Sequence, residues 1–183
     1  MTEMASAPTP PPPSKGSRKT LIAVIVIAII AIAAVAAGVY LATQSGGGGG
    51  GTTGVTGASS LQFSVDVTGG SSQGTYKYMA KNIGTSSMMI RVEITSADGD
   101  VIYIVNGAQQ KAWGYSGGEW IDLSDTFSDQ WDAWNSTWAG YKGSLVDWTG
   151  TGDWTYTDPD GNSVRVYDIA VNPSLADSLF EHS

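Results

Sequence analysis

An uninterrupted apolar segment, from Leu21 to Ala42, constrains this chain more than any other feature of its sequence. None of its 22 residues carries a charge, and twelve of them are Leu, Ile or Val. At a rise of about 1.5 Å per residue, a helix of this length reaches about 33 Å and exceeds the roughly 30 Å hydrocarbon core of a bilayer. We therefore predict a transmembrane helix over residues 20–42, with the membrane as its partner.

Basic residues flank this segment only on its N-terminal side, at Lys15, Arg18 and Lys19. Positively charged flanks stay in the cytoplasm, so residues 1–19 are predicted to lie inside the cell and the chain after Thr43 outside it. The proline run Pro10–Pro13 favours an extended, disordered tail. The predicted location is the cell membrane, crossed once, with the C-terminal domain outside.

Two processing alternatives remain open beside a permanent anchor. Ala34-Val35-Ala36 has the small-x-small pattern of a signal-peptidase site, although the apolar stretch of a signal peptide is usually about 7 to 15 residues. Lys15-Gly16 resembles the processing site of archaeal pilin-like precursors, whose N-terminal helices pack into filaments. The chain contains no Cys, so it offers no thiol for lipid attachment and no disulfide.

The rest of the chain divides into a linker and a domain. Residues 43–60 are rich in Gly, Ser and Thr and are predicted to form a flexible linker. Residues 61–183 are long enough for one self-sufficient core and are predicted to form a single extracytoplasmic domain. The whole chain has 17 acidic and 9 basic side chains. An acidic surface repels nucleic acid and anionic headgroups, and its simplest explanation is solubility or adaptation to salt.

Alternation of apolar and polar residues predicts a series of short strands in this domain. Turns such as Asp98-Gly99-Asp100 and Gly117-Gly118 separate them closely, whereas parallel strands need crossovers of about a dozen residues. We therefore predict an antiparallel meander, with Met88 and Met89 on opposite faces of one strand. The predicted strands are 61–67, 76–80, 88–94, 101–106, 111–115, 119–121, 144–148, 154–157 and 163–171, and a final helical turn follows with Leu175, Leu179 and Phe180.

The period changes after Leu123, where apolar residues recur at helical spacing. This pattern predicts one amphipathic helix that has Asp122 or Ser124 as its N-cap and ends near Gly140. Its apolar face holds Leu123, Phe127, Trp131, Trp134 and Trp138, and its acidic face holds Asp125, Asp129 and Asp132. The predicted fold class is α+β, with one aromatic helix against an antiparallel sheet.

The rhythm of these elements resembles the LolA-like carriers of the lipoprotein-sorting family. The resemblance is carried by Met88–Glu93, Val101–Gly107, Trp113-Gly114-Tyr115 with Glu119-Trp120, and Val171–Leu175 with Phe180. It implies a curved sheet that wraps like an unclosed barrel around helices and leaves an apolar cavity for acyl chains. The chain departs from the family by keeping its anchor and by having one good helix. The resemblance therefore implies a membrane-anchored relative, of archaeal cell-surface type, that binds an apolar ligand or uses the fold otherwise.

Three hypotheses compete for the aromatic residues. In the first, Met88, Met89, Phe127, Trp131, Trp134 and Trp138 line a cavity for an acyl or other apolar ligand. In the second, the same side chains are plain core, because large aromatics dominate buried area. In the third, an exposed strip stacks sugars and contains Trp113, Trp120, Trp148 and Trp154. The predicted function is a non-enzymatic binding or carrier-like module for an apolar or lipid ligand, with a structural surface protein, a pilin-like filament subunit or a glycan-binding module as alternatives.

No sequence pattern predicts an enzyme, a metal site or a cofactor. His182 is the only His and is predicted to lie in a frayed terminus, and nothing distinguishes Glu93 and Asp100 as a paired-carboxylate site. Asp158-x-Asp160-x-Asn162 has the spacing of a calcium loop, but its Gly comes too early and the closing Glu is absent, so a hairpin turn is preferred.

Two further features concern the predicted surface of the domain: a row of acidic side chains and a potential glycosylation site. Asp122, Asp125, Asp129 and Asp132 are predicted to form a solvated face rather than a cation site. Asn135-Ser136-Thr137 is a potential N-glycosylation site, and it lies on the predicted helix outside the membrane.

Overall fold

In the computed structural model, the described residues are 55, 57–69, 73–145, 148, 151–157 and 161–182, without the side chains of 136–144 and 156. The predicted tail, the transmembrane segment 20–42 and most of the linker lie outside them. Among the residues that are described, no helix is long and apolar enough to cross a bilayer.

Within these ranges, eight antiparallel strands form one open sheet with the order β6-β5-β4-β3-β2-β1-β8-β7. The first six strands are a meander, and β8 returns to pair with β1, which confirms the antiparallel prediction. The strands are β1 (Ser60–Thr68), β2 (Gly74–Lys81), β3 (Met89–Ser96), β4 (Gly99–Asn106), β5 (Lys111–Ser116), β6 (Glu119–Asp122), β7 (Trp154–Thr157) and β8 (Ser163–Val171). The two edge strands, β6 and β7, do not pair with each other, so the sheet is unclosed.

Tight turns between neighbouring strands depend on residues that tolerate a positive φ. Gly117 and Gly118, with φ of 61° and 86°, join β5 to β6, the conformation that a two-residue hairpin loop requires. The pairing of β1 with β8 shifts register between Gln62 and Ser64, and Asp168 on β8 has a φ of 51°. This irregularity is a β-bulge, which bends a strand locally.

One α-helix, α1 (Phe127–Ser144), follows a 3₁₀ turn (Ser124–Thr126) among the described residues. The helix extends beyond its predicted end near Gly140, because a glycine in a helix interior costs only about 1 kcal/mol and does not by itself end the helix. The predicted strand 144–148 is therefore wrong at its start: Ser144 is the last helical residue, and Leu145 lies in a turn. The closing 3₁₀ turn (Asp177–Phe180) confirms the predicted helical turn.

The alternation of the strands builds a separate hydrophobic cluster on each face of the sheet. The larger cluster includes Phe63, Tyr78 and Val92 and packs against Trp134 of α1; we call this side of the sheet the inner face. The smaller cluster lies on the opposite side, the outer face, and consists of Met79, Ile104, Trp113 and Phe180, with Met89, Ile102, Trp120, Leu175 and Leu179 packed around them. Phe180 lies beyond the last strand, so the chain returns across the outer face.

Candidate functional site

An open depression of about 470 Å³ lies on the outer face where β5 and β6 pair. Lys111 and Trp113 alternate on β5 and therefore point to the same face. Asp122 of β6 lies opposite Trp113, and Trp120 lies opposite Tyr115. The lining residues are Gln109, Lys111, Trp113, Trp120, Asp122 and His182.

The last of these residues, His182, belongs to the segment that crosses the outer face. We call residues 173–182 the strap. Asn172 immediately precedes it: the residue has a φ of 55°, its N–H donates to the Ser60 carbonyl at 2.9 Å, and its Oδ1 accepts the Ser59 N–H at 2.8 Å. These bonds fix the point at which the chain leaves β8. Near the other end of the strap, Phe180 is fully buried in the outer-face cluster.

The end of the strap is held by ring packing. The His182 imidazole lies nearly parallel to the Trp120 indole, with centroids 4.3 Å apart and an interplanar angle of 12°. Tyr115 contacts the same indole at 5.3 Å and 52°. The predicted frayed position of His182 is therefore wrong, because Phe180 anchors the strap only two residues earlier.

Polar groups of both signs surround these rings. The Gln109 side-chain amide donates to Glu181 at 2.9 Å. Asp122 Oδ1 accepts the Ser124 N–H at 2.8 Å, and its bonds with Ser124 hold the pKa of the Asp122 carboxyl below its usual value. Within the described residues, the Lys111 ammonium forms no ion pair within 4.0 Å. The depression is therefore lined by a cation, a carboxylate and an amide together with aromatic rings.

The helix side chains predicted to line an apolar cavity lie against the inner face. Trp134 is 3% exposed and stacks on Tyr103, with ring centroids 4.9 Å apart. The Tyr103 hydroxyl donates to Gln130, and burial raises the pKa of Tyr103. Phe127 and Trp131 are only partly buried, and their ring centroids lie 5.7 Å apart. Trp134 therefore has the environment of a core residue, while Phe127 and Trp131 lie at its margin.

The two methionines of the predicted cavity lie on opposite faces. Met88 is 1% exposed within the inner-face cluster, whereas Met89 packs against the outer-face cluster. The side chain of Trp138 lies outside the described residues. The structure therefore brings Met88, Phe127, Trp131 and Trp134 to one side of the sheet and separates Met89 from them.

The four tryptophans of the predicted sugar-stacking strip are also divided. Trp113 and Trp120 belong to the outer-face cluster, but Trp148 and Trp154 pack against the inner-face cluster. The Trp148 indole N–H donates to the Gly152 carbonyl at 3.1 Å. A single strip of four is therefore wrong, and the aromatic site on the outer face is built by Trp113, Trp120 and His182.

The potential glycosylation site and the calcium-like motif are the remaining predicted sites. Asn135 is exposed on α1, as a glycosylated residue must be. Of the calcium-like motif, residues 158–160 lie outside the described residues. Across the part of the chain that is described, no three His, Cys, Asp or Glu side chains converge as metal ligands.

Comparison of the chain with protein-family models, with characterised proteins and with solved structures gives no match. The resemblance to the LolA-like carriers therefore stays a prediction.

Sequence reasoning did not identify Lys111, Tyr115 and Gln109 as site residues. The spacing Lys111-x-Trp113-x-Tyr115 carries the signal for two of them, because a strand points such a triplet to one face. No local pattern indicates that His182 returns to Trp120, because that contact joins residues far apart in the sequence.

Proposed function

We propose that this chain is a non-enzymatic binding module of the cell surface, anchored by residues 20–42 with its domain outside, and that it binds carbohydrate in the outer-face depression. One observation carries the proposal: the aromatic rings of Trp113, Trp120 and His182 and the polar groups of Lys111, Gln109 and Asp122 line the same depression. The volume of about 470 Å³ falls within the roughly 300 to 1,000 Å³ usual for small-ligand sites.

The chemistry of the lining favours a sugar over the other ligand classes. A pyranose presents C–H groups to an aromatic surface and hydroxyls that both donate and accept hydrogen bonds. Lys111 donates, Asp122 accepts and the Gln109 amide does both, so a neutral polyol satisfies all three groups. An acyl chain forms no hydrogen bond with these groups, so the polar part of the lining favours a polyol over an apolar ligand. Glu181 on the strap adds a second carboxylate near this rim, which disfavours an anionic ligand.

The test is isothermal titration of the full chain, in detergent, with cellohexaose, maltohexaose and chitohexaose. At least one oligosaccharide is expected to bind. The Trp120→Ala variant is expected to bind about two- to twelvefold more weakly, because aromatic packing contributes about 0.5–1.5 kcal/mol. The matched control is Trp154→Ala, which removes a partly buried tryptophan from the other face. The proposal fails if no oligosaccharide binds, or if both variants lose affinity equally.

An apolar ligand between α1 and the inner face, as in the LolA-like arrangement with a curved sheet around its helix, is the second candidate. The observation that favours it is the pair Phe127 and Trp131, which are partly buried beside the inner-face cluster. Titration with a fluorescent fatty acid tests it by energy transfer from tryptophan. Energy transfer that is weaker in the Trp131→Phe variant supports this candidate. The absence of energy transfer at a saturating concentration of the fatty acid excludes it.

A further inference from the structure

The strap is held along the outer face by side chains that reach its main-chain carbonyls. Lys81 on β2 donates to the Leu175 carbonyl at 2.9 Å and pairs with Asp177 at 2.5 Å. Arg91 on β3 donates through Nη1 to the Leu179 carbonyl at 3.0 Å. The neighbouring strands β2 and β3 therefore bind successive positions of the strap. Hydrogen bonds from charged donors are stronger than those between neutral groups.

Phe180 is held by both its side chain and its main chain. Its side chain is fully buried among Met79, Ile104 and Trp113, and its carbonyl accepts the Asn106 side-chain amide at 3.1 Å. Asn106 is itself completely buried, so this bond satisfies a polar group that has no access to water. Trp113 belongs both to the socket of Phe180 and to the lining of the depression.

The depression shares its boundary with the docked strap. His182 lines one side of it against Trp120, and Glu181 holds the Gln109 amide that lines another side. If the strap leaves the outer face, the depression loses His182, and the Gln109 amide loses its partner.

We propose that docking of the strap builds the ligand site, so that His182 is a ligand-contacting residue and Arg91 and Phe180 are positioning residues that act through the strap. The inference rests on the proposed function, because it concerns the same depression. Ligand and strap docking then stabilise each other by the same factor, as linkage requires. The apparent affinity equals the affinity of the docked form multiplied by the fraction of molecules in which the strap is docked.

The chain offers an internal reporter of docking, because His182 is its only histidine. In the full chain labelled with carbon-13 only at the histidine Cε1 position, the imidazole gives one signal. The Trp120 ring, 4.3 Å away and nearly parallel, shifts that signal upfield when the strap is docked. The position of the signal in each variant therefore measures the docked fraction directly.

The experiment compares the unaltered chain with Arg91→Met, Phe180→Ala and the double variant. Each is measured by the His182 signal and by titration with the oligosaccharide that the unaltered chain binds best. We expect the affinity to fall in proportion to the docked fraction, with the largest loss, tenfold or more, in the double variant. The matched control is Glu93→Gln, which removes the ion pair of Arg91 with Glu93 at 2.7 Å but leaves the bond to the strap.

A second measurement separates loss of the strap from loss of the fold. A peptide with the sequence of residues 173–183, added to the Phe180→Ala variant, is expected to restore affinity, and the same peptide with Phe180 replaced by Ala is not. The inference is overturned if the docked fraction falls by half or more while affinity is unchanged, or if His182 stays docked in the double variant. Absence of oligosaccharide binding by the unaltered chain refutes the proposed function and the coupling together.

Discussion

Replacement of Trp134 by Ala tests whether the aromatic helix is core or cavity wall. Trp134 is 3% exposed and stacks on Tyr103 at 4.9 Å. A buried tryptophan removes about 150–250 Å² from water, which at about 25 cal/mol per Å² corresponds to about 4–6 kcal/mol as an upper bound. Large-to-small substitutions of this type cost about 3–5 kcal/mol. We therefore expect Trp134→Ala to lower the free energy of unfolding by about 4 kcal/mol.

The assay is equilibrium urea unfolding of the full chain, followed by circular dichroism. Domains of ordinary stability have a free energy of unfolding of about 5–15 kcal/mol, so the variant is expected to stay folded in the absence of urea and to unfold at a lower urea concentration. Trp134→Phe keeps a ring against Tyr103 and is expected to lose less, about 1–2 kcal/mol. The matched control is Trp120→Ala on the outer face. A loss below about 1 kcal/mol for Trp134→Ala would mean that Trp134 borders a void, and the core interpretation would be wrong.

Three further outcomes follow from single positions. Gly107→Ala places a Cβ 2.6 Å from both the Ser86 carbonyl oxygen and the Trp131 ring. Thermal unfolding is therefore expected to show that the free energy of unfolding falls by about 1–3 kcal/mol. The pKa of Asp122 is lowered in the fold, so its contribution to stability is present above its unfolded value, about 3.9, and is lost as pH falls below it. In acid unfolding, the Asp122→Asn variant should not show this loss of stability. Burial raises the pKa of Tyr103, so its contribution is present below about pH 10 and is lost above it. Alkaline unfolding that is identical in Tyr103→Phe would contradict this.

The strands could be predicted because the alternation of apolar and polar residues within each strand indicates which side chains are buried. The alternation in Met88 to Ile94 predicts which side chains face the core, and the glycine turns predict antiparallel neighbours. The same alternation already forbids Met88 and Met89 from lining one cavity on a sheet, because consecutive strand residues point to opposite faces. A single cavity lined by both Met88 and Met89 is therefore incompatible with the predicted strand.

The candidate site could be predicted only in part. Trp113 and Trp120 are visible as large aromatics on neighbouring strands, but their separation from Trp148 and Trp154 depends on which face each strand presents to α1. The docking of His182 depends on Phe180 entering a socket built by distant strands. Contacts of this kind are specified by tertiary packing, and no local propensity or period reports them.

The most direct test of the central claim is the set of indole N–H signals of the full chain during titration with the bound oligosaccharide. The chain has seven tryptophans, so single Trp→Phe variants assign each signal. The outer-face site predicts that the signals of Trp113 and Trp120 shift with the ligand while that of Trp134 stays in place. Shifts confined to Trp131, Trp134 and Trp138 would place the ligand under the helix and contradict the account.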